Sequence, residues 1–363
     1  MLRKLSILTV IFCFCFALGG NAVAAQAVNS NKDRVLKVMT RNMDAGSDFY
    51  YVIIAAQNPS STQQDLLTAI TQTYIEMRAS DLPRRAVGIA AEIANTRPDL
   101  VGLQEVTVLS TGPYLEPPTV VVDSALEVLL RSLRERGLHY APIAVQQNAQ
   151  VVLPAFGAEG LIDVGLIDYD VILARTDLPI SEFKLQNIQQ AHFSEAATLN
   201  FAVGTTSIPF LRGWISVDAK LRGKTYRFVT THLETFSPDY QAAQTNELLA
   251  GPLNTNLPVM LAGDLNSDAH TPSWAGGPAY GILVAADFRD AWSTIYPTDA
   301  GFTWPLHLED SGYNIGPLQR IDLILTKGKD IQPIGIVRTG TTWIDGVWSS
   351  DHAGVVSSLV LRP

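Results

Sequence analysis

Cysteine is almost absent from this chain. Of 363 residues only Cys13 and Cys15 are cysteine, and both sit near the N-terminus. The body of the protein therefore has no disulfide framework, no thiolate metal site and no cysteine nucleophile, and core burial has to supply its stability. Long apolar runs are also scarce. The run from Leu5 to Leu18 falls short of the ~20 apolar residues that a membrane-spanning helix needs. There is no GxxxxGK[ST] loop, no GxSxG elbow and no HExxH pair. Their absence removes P-loop phosphate cradling, an elbow serine and a two-histidine zinc helix from consideration. No internal repeat, low-complexity stretch or Pro/Gly/Ser linker divides the sequence.

What is present begins with Arg3 and Lys4, then the Leu5–Leu18 run, then Ala22-Val23-Ala24 and Ala25-Gln26-Ala27. A basic start, an apolar middle and small residues at the end form the pattern of a secretory signal. Residues 1–27 are expected to be a signal peptide, with cleavage after Ala24 or Ala27, and the protein to be secreted or periplasmic; an uncleaved anchor is the alternative. Losing Arg3 and Lys4 leaves 24 basic residues against 35 acidic ones, a net charge of -11 instead of -9. Such a chain has no overall attraction for nucleic acid or anionic lipid. Arg131/Arg134/Arg136 and Lys220/Arg222/Lys224 are local basic patches or solvated faces. Hydrophobic residues make up 47% and charged residues 17%, enough for a substantial core and against disorder.

Apolar runs and turn residues place the elements. Val35–Thr40 reads as a first core strand, and Leu100–Leu103, Val171–Ala174, Gly213–Val217, Tyr226–Thr230, Leu257–Ala262, Arg320–Leu325 and Val355–Leu361 as further strands. Arg222-Gly223-Lys224 marks a hairpin. Helices are predicted over Pro83–Ala94, with Ala86, Ile89, Ala90 and Ile93 on one face, over Ser124–Glu135, with Gly137 as its C-cap, and over Gln241–Leu249. The mixture predicts an α+β, four-layer α/β sandwich: two mostly antiparallel sheets packed face to face with helices outside, one domain over 28–363.

Polar residues stand where these strands end: Asn42, Glu105, His232, Asp264, Asn266, Asp322 and the pair Asp351-His352. Gly263-Asp264-Leu265-Asn266 is the clearest case. It follows a fully apolar strand, and strand parity aims Asp264 and Asn266 the same way. Turn chemistry alone explains any one of these residues. Together they supply carboxylates for a hard cation, amides for anionic oxygens and two imidazoles for proton transfer.

Five pieces in sequence order carry a resemblance: Gly102-Leu103-Gln104-Glu105-Val106, Thr231-His232-Leu233-Glu234, Gly263-Asp264-Leu265-Asn266, Arg320-Ile321-Asp322 and Ser350-Asp351-His352. The chain resembles the endonuclease/exonuclease/phosphatase superfamily, which includes deoxyribonucleases, apurinic endonucleases and neutral sphingomyelinases, from Leu36 to Leu361. The resemblance implies a metal-dependent phosphoric ester hydrolase. It makes Glu105 a ligand of Mg²⁺, or of Mn²⁺, helped by Asn42 and Asp351. It makes His352 the general base, oriented by Asp322. Asp264 and Asn266 then bind phosphate oxygens or orient the water, and His232 stabilises the phosphoryl charge or protonates the leaving oxygen. An acid supporting the histidine is expected at Asp168 or Asp170, and spacing to Arg175 favours Asp168. Arg212 either reaches phosphate or stacks on Trp214. His192, His270 and His307 read as surface residues, and the late tryptophans as core or rim packing.

Glu105 follows Asn42 by 63 positions, an interval longer than compact members of the resembled family show, and an insertion is expected around 48–78. Its opening run, Phe49–Ile54, is expected to tuck into the body; the alternative is a lip that holds a base, a ring or an acyl chain. The function expected is an exported phosphodiesterase, either a nuclease or a phospholipid or sphingolipid head-group hydrolase. Its partner is a phosphodiester substrate, nucleic acid or lipid head group, and the chain is expected to be monomeric. A catalytically inactive surface-binding protein that keeps the fold is the alternative.

Overall fold

Two parallel strand pairs organise the molecule. Arg34–Asn42 runs parallel to Leu100–Gln104, with Asn42 opposite Gln104 at the end of the pair. Lys224–His232 runs parallel to Val259–Asp264, with His232 opposite Asp264. Parallel neighbours need a crossover, and the helices Leu82–Thr96 and Pro238–Ala250 lie in the two connections. Among the described residues every other strand pairing is antiparallel. The computed structural model describes residues 34–203, 206–271, 276–306, 318–343 and 346–361. The expected signal peptide, both cysteines, Trp274 and His307 lie outside these residues.

Each parallel pair sits inside a larger sheet. The first sheet runs Ile331–Thr339, Gly354–Leu361, Arg34–Asn42, Leu100–Gln104, Gly160–Arg175, Val108–Pro113, Val120–Ser124, and Tyr140–Gly157 also pairs with Gly160–Arg175. The second runs Arg289–Asp290, Asp322–Lys327, Val259–Asp264, Lys224–His232, Gly213–Leu221, Phe183–His192. Alternation along the strands divides their side chains between layers. Leu36, Val38 and Ile172 of the first sheet meet Ile215, Phe228, Met260 and Ile324 of the second in one central core. Met39, Val101 and Leu173 face the other way, onto Ile89, Ile93, Leu129 and Leu133 of the first helical layer. Val229, Leu261 and Leu323 pack on Leu248 and Leu283 of the second. Both faces of each sheet are covered, which is why the central strands read as unbroken apolar runs. The four-layer α/β sandwich expected from sequence is the observed fold.

The two sheets come into close contact at Gly102. A Cβ there would stand 2.2 Å from Thr230 Oγ1, so only glycine fits. Beside it Thr40 Oγ1 donates to Gln104 Oε1 (3.1 Å) and Gln104 Nε2 donates to Thr230 Oγ1 (3.0 Å). This buried polar bridge ties the sheets together next to the strand ends.

The segment expected as an insertion is a helical hairpin, Tyr50–Gln57 and Gln63–Ala79. The second helix opens with a capping box in which Thr62 and Asp65 satisfy each other's backbone N–H groups. Phe49–Ile54 does not tuck into the body as expected. Tyr50, Tyr51 and Ile54 are 57%, 42% and 49% exposed, and no residue of the first helix is buried. Wound as a helix, an apolar run points in every direction, and only Phe49 and Val52 reach the small cluster beneath.

Candidate active site

The strand directions explain why the polar residues converge. All four parallel strands end at the same edge, delivering Asn42, Glu105 (one residue past Gln104), His232 and Asp264. The antiparallel neighbours begin there. Asp322 opens its strand opposite Asp264, and His352 stands two residues before Gly354. Every expected site residue except Asp168 therefore comes from this one edge. Glu105 and Asn266 turn the chain sharply, at φ +53° and +47°. A left-handed backbone costs a non-glycine residue about 1–2 kcal/mol, and asparagine tolerates it better than glutamate does.

His352 is buried among carboxylates. Its Nδ1 lies 2.8 Å from Asp322 Oδ2 and 3.8 Å from Asp264 Oδ2, and its Nε2 is 3.9 Å from Asp351 Oδ2. Burial alone pulls the imidazole pKa down, but Asp322, Asp351 and Asp264 together push it well above the usual histidine range. The Ile321 and Asp322 N–H groups both donate to Thr303 Oγ1 (3.2 Å), which fixes the Asp322 backbone. The His352 carbonyl accepts from Arg41, whose guanidinium forms a buried pair with Glu92 (2.9 Å). Trp304 Nε1 donates to Asp351 Oδ2 (3.1 Å), a contact that its place among the late tryptophans did not suggest.

His232 has the opposite surroundings. Arg212 Nη1 is 2.6 Å from its Nδ1. A guanidinium only donates, so Nδ1 accepts and the ring proton sits on Nε2, 3.5 Å from Asp264 Oδ2. Burial, Arg212 and His352 hold this imidazole well below its usual pKa. His232 is thus a neutral N–H donor. Arg212 does not stack on Trp214; its guanidinium lies 4.6 Å above the Phe210 ring.

Asp264 is shared by both histidines. Its Oδ1 accepts from the Asn266 N–H (2.9 Å) and its Oδ2 from Asn42 Nδ2 (3.1 Å). Burial raises its pKa to about 6 against the pull of His352. The expected parity of Asp264 and Asn266 breaks at the left-handed turn. The Asn266 amide donates one hydrogen to the Leu233 carbonyl (2.9 Å) and braces the loop, while the residue itself lines the cleft. Asn42 is bonded on both sides of its amide. Its Oδ1 accepts from the Asp44 N–H (2.8 Å), while Nδ2 donates to Glu105 Oε1 (2.9 Å) and to Asp264. It clamps two carboxylates together, and its oxygen keeps a second lone pair beyond the Asp44 bond.

Asp168 lines the cleft, but not for the expected reason. Arg175 is engaged by Asp99 (3.2 Å) and Asp177 (2.9 Å) instead. Burial raises Asp168 while nearby Arg212 draws it back down. Asp170, fully buried, is raised well above the carboxylate range by burial and by Asp168. Neither of its oxygens has a hydrogen bond, and the amide of Asn148 stands close to both acids without bonding geometry.

These groups floor a cleft of about 590 Å³. Its polar end holds Glu105, Asp168, Arg212, His232, Asp264, Asp351 and His352, and its other walls are largely apolar.

The model of the Endonuclease/Exonuclease/phosphatase family matches residues 74–352. The chain belongs to that family. No curated protein matches it. Solved structures agree on the fold. An endonuclease/exonuclease/phosphatase family protein from Bacteroides thetaiotaomicron is 15% identical, with a TM-score of 0.55 over 92% of this chain and 100% of that one. Truncated Caenorhabditis elegans TDP2 is 18% identical, with a TM-score of 0.51 over 90% and 97%. A Bacteroides thetaiotaomicron mannosyl-6-phosphatase is 16% identical, with a TM-score of 0.53 over 90% and 100%.

As an endonuclease/exonuclease/phosphatase family member the chain is a metal-dependent hydrolase of phosphoric esters. Two places could hold the cation. Asp264, Asp322 and His352 bring ligand atoms within 4.8 Å of one another. Yet the 2.8 Å separation of His352 and Asp322 is that of a hydrogen bond, closed by a proton. The second place is Glu105 with Asp351. Burial and Asp351 raise Glu105 to about 7, and burial also raises Asp351, whose side chain is 35% exposed. The two acids repel each other, offset in part by His352 and Arg85, and a divalent cation would relieve that repulsion, which makes this pair a candidate beside the His352 trio.

Proposed function

We propose that this chain is an exported phosphodiesterase that hydrolyses its substrate by in-line attack of water on phosphorus. Export rests on the signal-like residues 1–27. The chemistry rests on one observation above the others: His352 holds Asp322 with Nδ1, which leaves Nε2 as the nitrogen that can take a proton from water.

Asp322 fixes the ring orientation and stabilises the imidazolium that forms. Glu105 and Asp351 hold the cation, Mg²⁺ in this reading with Mn²⁺ as the alternative, and Asn42 keeps Glu105 in place. The bound cation supplies charge neutralisation to the phosphate. His232 donates its Nε2–H to a phosphoryl oxygen, and Arg212 both sets that tautomer and adds positive charge. A neutral His232 stabilises developing charge and is not an imidazolium acid. Asp264 ties the histidines to one geometry and Asp168 balances Arg212.

A panel with added Mg²⁺ or Mn²⁺ tests this reading. It contains bis-p-nitrophenyl phosphate, plasmid DNA, RNA, sphingomyelin and inositol phosphates. Metal-dependent release of p-nitrophenolate, lost in the His352→Ala variant, is the expected result. Turnover of monoesters alone would overturn the diesterase assignment.

A further inference from the structure

The cleft has two unlike ends. Beyond the polar floor its walls come from the inserted helical hairpin and from the strands Val108–Pro113, Tyr140–Gly157 and Gly160–Arg175. These walls are the fourth apolar cluster of the protein. Nine of its eleven members line the opening, among them Phe49, Val52, Ile70, Tyr74, Met77 and Leu153. Apolar clusters normally close on themselves, because close packing is what holds them together. This one surrounds open space continuous with the phosphate floor. Such space hydrates poorly and takes an apolar ligand group.

Charge points the same way. Among the described residues lining the cleft Arg212 is the single Lys or Arg, and it is committed to His232. A polynucleotide is held through several successive phosphates, each met by a cation. This floor neutralises one. The basic group at Lys220, Arg222 and Lys224 adds little, since Arg222 pairs with Glu182 (3.3 Å) and Lys224 with Asp330 (3.1 Å). The first inserted helix carries the apolar surface outward through exposed Tyr50, Tyr51 and Ile54.

The geometry points to a phosphoric diester with one long alkyl-bearing ester group, its phosphate on the floor and its chain in the apolar end. This deepens the phosphodiesterase reading and rests on it. Water supplies the hydroxyl that stays on phosphorus and the proton that the departing oxygen takes. The products are a phosphoric monoester and an alcohol.

The test uses the full chain, added Mg²⁺ or Mn²⁺, and alkyl p-nitrophenyl phosphates from methyl to octyl, each below its micelle threshold. kcat/KM is expected to climb about fourfold per methylene while the chain is being seated, from the ~0.8 kcal/mol that each buried methylene contributes. Ile53→Glu, on the cleft side of the first inserted helix, should flatten that slope. Calorimetry of alkyl phosphonates on wild-type protein gives a readout independent of turnover and of that variant's folding, with affinity rising along the same series. A flat series with the short diesters still hydrolysed overturns the alkyl assignment and leaves the phosphodiesterase standing. No diester turnover, with phosphonate affinity still rising, supports the apolar subsite and overturns the diesterase reading instead. A single-stranded oligonucleotide with a higher kcat/KM than the octyl ester overturns the alkyl assignment. Sphingomyelin and phosphatidylcholine vesicles locate the source. Their turnover means a bilayer lipid and turnover of monomeric octyl ester alone means a soluble amphiphile, both within the alkyl-bearing class.

Discussion

His232 and His352 face one cleft from opposite sheets and are held in opposite protonation states. A guanidinium at 2.6 Å keeps His232 neutral, and a carboxylate at 2.8 Å keeps His352 charged in the metal-free protein. Two identical side chains are set apart in protonation by their neighbours. A cation at Glu105 and Asp351 would withdraw part of the carboxylate field from His352 and free it to act as a base.

His352→Ala should lower kcat by ~10²–10⁴-fold, the range for a positioned base, with the fold intact by circular dichroism. Asp322→Asn should lower it less and displace the acidic limb of the pH–rate profile. The base works only after losing its proton, and Asp322 raises the pKa of that loss. Without the carboxylate the limb moves to lower pH. A move to higher pH would contradict the pairing.

Arg212→Met should let the His232 pKa rise, because Arg212 is one of the charges depressing it. Nitrogen NMR of the imidazole would show Nδ1 no longer held as an acceptor. The accompanying loss in kcat is expected to be about 10–100-fold, from the ~1.5–3 kcal/mol of a hydrogen bond to a charged group. An unchanged His232 titration would remove Arg212 from this role.

Excess chelator should abolish turnover, and Mg²⁺ or Mn²⁺ should restore it. Thermal stability gives a second readout. Glu105 titrates near 7 in the folded chain against 4.5 for an ordinary glutamate. The metal-free fold therefore carries a penalty that is absent below pH 4.5, grows as pH rises toward 7 and is full above it. A cation removes the penalty. Added metal should raise Tm more above pH 7 than near pH 4.5, and an equal rise at both would place the cation elsewhere.

Glu92→Leu leaves the Arg41 guanidinium buried without its partner. Stability is expected to fall by roughly 3–5 kcal/mol in urea titration. Arg41 also holds the His352 carbonyl, so kcat of the folded fraction should drop as well.

The central strands and their polar ends were legible because both sheet faces are covered, so a run such as Val259–Ala262 has no polar interruption before Asp264. Of the long hairpin Tyr140–Gly157 and Gly160–Arg175 only the Val171–Ala174 end was. Its burial follows no clean alternation, and bulges shift its register between Pro142 and Ala144 and again between Gln147 and Gln150. Arg212 and Trp304 lie outside the named helices and strands, where no period marks a side chain as pointing inward. The bonds that the Asn42 and Asn266 amides make are not legible in the sequence, because what an amide bonds depends on where the backbone turns. Spacing to Arg175 points to Asp168, yet Arg175 serves Asp99 and Asp177.

The parallel pairs have a consequence for how activity arises during folding. Glu105 and His352 come from the first sheet, His232, Asp264 and Asp322 from the second. Either sheet formed alone holds an incomplete set: the first has His352 without its partner Asp322, and the second has His232 without Glu105 or His352. Catalysis thus begins only when the two leaves dock, across the contact of Gly102 with Thr230. Regain of turnover after dilution from denaturant reports that docking step, whereas circular dichroism reports the leaves themselves.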